Sequence, residues 1–263
     1  MDDALPSTDP KQRQAVRGCV RVGSTLAMLL GLCVGASTAQ ARSVEARVER
    51  VASGLAVASD VVVRLDWPDG AQAGRLQLHA RGVDADSLGY RWRDLSWDCE
   101  LGREVAGPVQ CAGTAVARAG PVFSEPGGAR VEVVLDDGLR AEVERAAGSL
   151  SLHMSDGAPD QLSLLAARVP AAWLEAFVGT LWTGGRVHSG EVDGSMDLDL
   201  RRQGALRARG GLVLRGVGFD TPDGLFAGEG IGAELALEVA TRPGTVDVSL
   251  AGDVLGGELL AGR

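Results

Sequence analysis

The sequence predicts an all-β protein of about twelve antiparallel strands with one short amphipathic helix near residues 171–182. Three observations predict it. Apolar and polar residues alternate through most of the chain after residue 43, the period of a strand with one face buried. Turn signals such as Trp67-Pro68-Asp69-Gly70, Asp136-Asp137-Gly138, Asp156-Gly157 and Arg242-Pro243-Gly244 recur between the alternating runs. Only the stretch from Pro170 to Trp182 carries helical spacing.

The first run, Val44 to Val51, alternates apolar and charged residues. In Leu55–Trp67, Val61, Val63, Leu65 and Trp67 point one way, and Val62, Arg64 and Asp66 the other. Leu76, Leu78 and Ala80 then oppose Arg75, Gln77, His79 and Arg81. Between Leu88 and Leu101, Tyr90 and Trp92 share one phase, while Leu95, Trp97 and Cys99 share the other. That slip near Arg93-Asp94 predicts a bulge. Strands follow at Val109–Arg118, at Val131–Leu135, at Leu139–Ala147, around Leu150 and Leu152, and around Leu162 and Leu164.

The helix rests on Trp173, Leu174, Phe177, Val178, Leu181 and Trp182, which form one stripe at 3.6 residues per turn. Pro170 suits its start, and Gly184-Gly185 its stop. Such a helix is marginal alone, so it must lie on something apolar. It either plugs the end of a core, or caps a lipid groove or touches a bilayer surface. Four more runs follow, carrying Met196, Leu198 and Leu200, then Leu212 and Leu214, then Leu235 and Leu237, then Val246, Val248 and Leu250. One face of every run is aliphatic and the other charged. A sheet like that must cover its apolar face, by folding into a sandwich, closing into a barrel or curling over a ligand.

The 263 residues open on a secretory pattern. A basic stretch at 11–21 precedes a short apolar core at 22–36, and Ala39-Gln40-Ala41 presents small residues at a cleavage point. Export with cleavage after Ala41 is expected, leaving a single elongated β domain at 42–263 with a helix break at 170–185 between two sheet runs. An uncleaved segment would make an inner-membrane anchor instead. The net charge of −9, and Lys11 as sole lysine, argue against nucleic acid, which needs clustered cations. Cys99 and Cys111 flank a Gly/Pro-containing loop, and in an oxidising compartment an even pair favours a disulfide.

No catalytic constellation is legible. His79, His153 and His188 stand apart from any metal spacing, and there is no G-x-S-x-G elbow. Gly228-Glu229-Gly230-Ile231-Gly232 reads as a bend or bulge rather than a phosphate loop. Asp193, Asp197 and Asp199 share one strand face, but Ca²⁺ wants six to eight converging oxygens, so a solvated face is expected. No enzyme activity, cofactor or metal is expected. An outer-membrane barrel would need aromatic girdles, and aromatics are only 4% of the chain.

Trp173-Leu174, Leu181-Trp182, Gly185, Gly190-Glu191-Val192-Asp193-Gly194, Leu198 and Leu200 appear in the order of a helix, an LW-x-G-G turn and a G-x-V-D-G strand. Val217-Gly218-Phe219-Asp220 through Gly230, and Trp97-Asp98-Cys99 with Cys111, add to the pattern. Over about residues 50–263 the chain resembles the AsmA-like superfamily of bacterial envelope proteins, closest to its YdbH-type branch. The resemblance implies a curved, groove-shaped sheet in the periplasm that carries phospholipid acyl chains between membranes. Its partners would be phospholipids, with a membrane surface or other envelope proteins besides. The expected lining is Val61, Val63, Leu65, Leu76, Leu78, Leu150, Leu152, Leu198, Leu200, Leu212, Leu214, Leu235 and Leu237, with Trp173, Leu174, Phe177, Leu181 and Trp182 as a helical cap. Twelve strands at about 4.8 Å spacing give a groove of roughly 55–60 Å, shorter than the envelope-spanning members. The other expectation is a non-enzymatic envelope scaffold or interaction module with a closed sandwich core.

Overall fold

A computed structural model describes residues 43–262 except 54, 104–106, 183, 203–204 and 243–244. The proposed signal segment lies outside the described residues, as do Pro243 and Gly244 of the last predicted turn.

The described residues form one open antiparallel meander of thirteen strands, one more than the sequence suggests, in strict chain order. These are β1 (Ser43–Ala52), β2 (Val57–Asp66), β3 (Ala73–Ala85), β4 (Tyr90–Arg103), β5 (Val109–Val116), β6 (Ala129–Asp136), β7 (Gly138–Arg145), β8 (Gly148–Ser155), β9 (Gln161–Pro170), β10 (Arg186–Arg202), β11 (Ala205–Asp220), β12 (Phe226–Arg242) and β13 (Thr245–Ala261). The helical segment sits between β9 and β10 and does not break the sheet, because those two strands pair directly from Glu191↔Pro170 to Asp199↔Gln161. It begins as a 3₁₀ turn at Ala171–Leu174 and continues as α1 (Glu175–Leu181). Trp182 is already extended, so the helix stops one residue short of the expected limit.

Directly opposed residues share a face. One row can therefore be followed across the whole sheet: Val44, Leu65, Leu76, Cys99, Gly113, Val131, Val143, Leu150, Ala166, Gly194, Leu212, Leu235 and Gly252. No charged residue interrupts it. The opposite face is laced with cross-strand ion pairs: Arg75–Asp98 (2.7 Å), Arg186–Asp220 (2.9 Å) and Arg209–Glu238 (2.8 Å). The predicted slip at Asp94 is real but inserts no residue. Asp94 adopts φ +50°, and the β3–β4 ladder resumes in the same register on both sides, from Ala80↔Leu95 to Gly82↔Arg93.

The sheet curls toward its apolar face. In a flat sheet β4 and β9 would lie about 24 Å apart. Three residues beyond Pro170 reach at most about 10 Å, yet the Tyr90 hydroxyl at the start of β4 donates a hydrogen bond to the Trp173 carbonyl at 3.0 Å. Only a bent sheet brings these groups together. Gly89, which ends the 3₁₀ turn Asp86–Leu88 at φ +75°, presses against the Ala176 carbonyl on α1. A side chain there would occupy the space of that oxygen.

Candidate functional site

The candidate site is the apolar face. Twelve of the thirteen residues expected to line a groove share it, and Leu200 falls where the register of β10 shifts. Leu65, Leu76, Leu150, Leu212 and Leu235 stand in the row traced above. Leu152 and Leu237 stand in the next row, through Ala141↔Leu152, Leu152↔Leu164 and Gly210↔Leu237. Leu198 stands one row further, between Leu162 and Ala208, with Leu200 two residues on. On the other side lie Val63 with Leu78, Val61 with Ala80, and Leu214 with Val192. Val61 and Leu237 are buried, at 7% and 6% exposure, and the others are half-buried. Among the described residues no second layer covers them except the helical segment.

That segment closes one end. Ala171 packs on Val192, Val217 and Ile231, with Leu174, Leu212, Leu214 and Phe219 around them. Trp173 is buried and Phe177 half-buried, while Trp182 meets the Phe219 ring edge-on at 5.5 Å. Leu181 ends α1. Burial raises the Tyr90 hydroxyl pKa to about 12, so this anchor stays protonated across ordinary pH.

At the other side of the face, Cys99 and Cys111 form a disulfide with Cα atoms 5.5 Å apart. They are diagonal neighbours rather than opposed. Gly113 sits opposite Cys99, and a side chain at Gly113 would collide with the Asp98 carbonyl and the Cys99 Cα. Leu65, Trp67, Leu76, Trp97 and Val109 pack around the bridge.

Sequence reasoning left Trp97 and Tyr90 out of the site. Trp97 stands opposite Leu78, on the apolar face, and its indole N–H is buried without an acceptor among the described residues. Its phase in the alternating run was the available signal. Tyr90 could not be found that way, since its partner Trp173 is 83 residues distant.

The carboxylates on β10 are dispersed into pairs. Asp193 accepts from the Arg168 backbone N–H at 3.0 Å and pairs with Arg215. Asp197 accepts from the Ser163 hydroxyl at 2.8 Å. Among the described residues no group of three or more His, Cys, Asp or Glu could hold a metal ion. His79, His153 and His188 are exposed. The glycine-rich run at 228–232 is a bulge, with a register shift between Glu229 and Gly232.

A hollow of about 820 Å³, open to solvent, lies mainly on the charged face rather than the apolar one. It follows the small residues Ser195, Gly211, Ala236 and Ala251 across β10–β13, with Asp193, Glu234 and Asp253 beside them. No helix among the described residues is long and apolar enough to cross a membrane. No protein-family model, curated protein or solved structure matches the chain.

Proposed function

We propose that this chain is a periplasmic lipid-handling protein, exported through its N-terminal segment, whose curved sheet holds phospholipid acyl chains against the apolar face. The observation that carries this reading is the uninterrupted apolar row across thirteen strands, over most of which the described residues place no second layer. A structural core of that extent is ordinarily covered by a second layer. An acyl chain is a cover of the right chemistry, since each buried CH₂ contributes about 0.8 kcal/mol and asks for no polar partner. No catalytic step is assigned. Selectivity among headgroups is low in this reading, because the headgroup stays in water. The resemblance to AsmA-like envelope proteins supports the same assignment and suggests a role in intermembrane lipid transport or envelope maintenance.

The test is native mass spectrometry with lipid extraction on the full chain expressed with its leader and purified from the envelope in mild buffer. Phospholipid near or above one per chain is expected. Protein that is monomeric, stable and free of lipid would overturn the reading in favour of a scaffold whose apolar face is satisfied by itself.

A further inference from the structure

On β4 the apolar file ends on a cation. Leu95, Trp97, Cys99, Leu101 and Arg103 follow at every second residue and so share one face. From Trp97 to Arg103 they stand opposite Ala115, Gly113, Cys111 and Val109 on β5. Cys99, Leu101 and Cys111 are buried, with Trp67, Trp97 and Val109 packed against them. Arg103 is exposed at the rim away from the helical segment, where its backbone N–H donates to the Gln72 carbonyl at 3.5 Å. Trp67 stands at the same rim, its ring against Gly74 and its indole N–H on the Ala71 carbonyl at 3.1 Å. A tryptophan placed so suits a boundary between water and an apolar phase.

No acid among the described residues pairs with the Arg103 guanidinium. Arg145, two residues beyond Val143 on the same face of β7, is answered by contrast. It pairs with Glu125 at 2.7 Å and donates to the Pro126 and Gly128 carbonyls. Along the rim that holds Arg103, the turns that close β6–β7 and β8–β9 carry Asp137, Asp156 and Asp160. An anion is repelled there and attracted at Arg103. From Arg103 to Trp97 the file is about 20 Å long, enough for the roughly 15 Å of hydrocarbon in half a bilayer.

We infer that Arg103 binds the phosphate of a lipid whose acyl chain lies along β4, so that the protein selects phosphate-bearing lipids over neutral ones with the same chains. This rests on the lipid reading above. A guanidinium presents two parallel N–H donors to two phosphate oxygens. Whatever is esterified to that phosphate stays in water, so discrimination is by the phosphate alone.

The test incubates the full chain with vesicles of equal dioleoylphosphatidylglycerol and dioleoylglycerol, and native mass spectrometry counts each lipid on the protein. Arg103→Gln should lower the ratio of phospholipid to diacylglycerol about two- to fivefold, the size of one exposed charge pair, with total lipid unchanged. Arg103→Lys should keep part of the preference. Arg140→Gln, at an exposed position opposite Val134 and His153, should leave the ratio as it is. Excess inorganic phosphate should not alter the parent's ratio. An unchanged ratio in Arg103→Gln, or an equal fall in Arg140→Gln, would overturn the assignment. A parent ratio that inorganic phosphate lowers to the variant's value would make Arg103 a site for the free ion and overturn it too. A parent that carries neither lipid would overturn the lipid reading itself.

Discussion

The curl of the sheet depends on a contact that a single methyl group should break. Gly89 has φ +75° and lies against the Ala176 carbonyl of α1, with the Thr180 methyl beside it. Gly70 has φ +71° in the β2–β3 turn, with nothing near the position a Cβ would take. Replacing either by alanine carries the same left-handed penalty, about 1–2 kcal/mol. It carries the same opposing gain from a stiffer unfolded chain, about 0.4–1 kcal/mol. G70A should therefore cost at most about 1.6 kcal/mol. G89A adds a backbone collision that only movement of α1 away from the β3–β4 turn relieves. Overpacking of that kind costs about 1–3 kcal/mol. Moving α1 also strains the Tyr90–Trp173 hydrogen bond, whose loss is worth about 1 kcal/mol. The difference between the two variants in urea unfolding should be about 2–4 kcal/mol. A spin-label pair placed on β4 and β10 should report a longer distance in G89A alone. Equal midpoints for the two variants would refute the claim that this contact holds the bend.

Four further outcomes follow from the same geometry. Tyr90 titrates near 12 when folded but near 10 when unfolded. Its contribution is thus complete below pH 10 and is lost as pH rises from 10 to 12. The loss is at most about 2–3 kcal/mol in thermal melts and should be absent in Tyr90→Phe. Arg75 hydrogen-bonding holds the Asp98 carboxyl below its ordinary range. That contribution is present above pH 4 and lost as pH falls through the lowered value, so Asp98→Asn should flatten the acid limb of the melting curve. Replacing Cys99 and Cys111 together by alanine opens a short loop and should cost about 2–3 kcal/mol in denaturant unfolding under oxidising conditions, and nothing relative to the reduced parent. Leu235→Asp, in the middle of the apolar row, should abolish co-purified lipid while Arg209→Gln on the charged face leaves it unchanged. Equal lipid in both would count against the apolar face as the site.

Period-2 alternation made the strands, their faces and the half-buried aliphatics such as Leu150 and Leu235 legible, because facing is decided by parity alone. Cys99 and Cys111 were legible for a related reason: a short loop between two strands leaves little freedom of register. The bend was not. It depends on Tyr90 meeting Trp173 and on Gly89 meeting Ala176, contacts between segments more than eighty residues apart that leave no local period. The hollow over Gly211, Ala236 and Ala251 was hidden too, since small residues in register on four strands show no pattern within any one of them. The sequence also suggested that the helix separates two sheet runs. It could not show that β10 returns directly after the helix to pair with β9, from Glu191↔Pro170 to Asp199↔Gln161.

In this meander every strand bonds only to the strands before and after it in the chain. No pairing waits for a distant segment, so loop closure imposes little delay and assembly is expected to be fast for a β protein of this length. A chain delivered N-terminus first can add strands one at a time. Each finished strand is the template for the next, and the disulfide between β4 and β5 can lock before two thirds of the sheet exists. Until the helical segment reaches back to Tyr90 the growing sheet has no clamp. Its curvature is therefore set late, when β9 is complete, and for all the earlier strands at once.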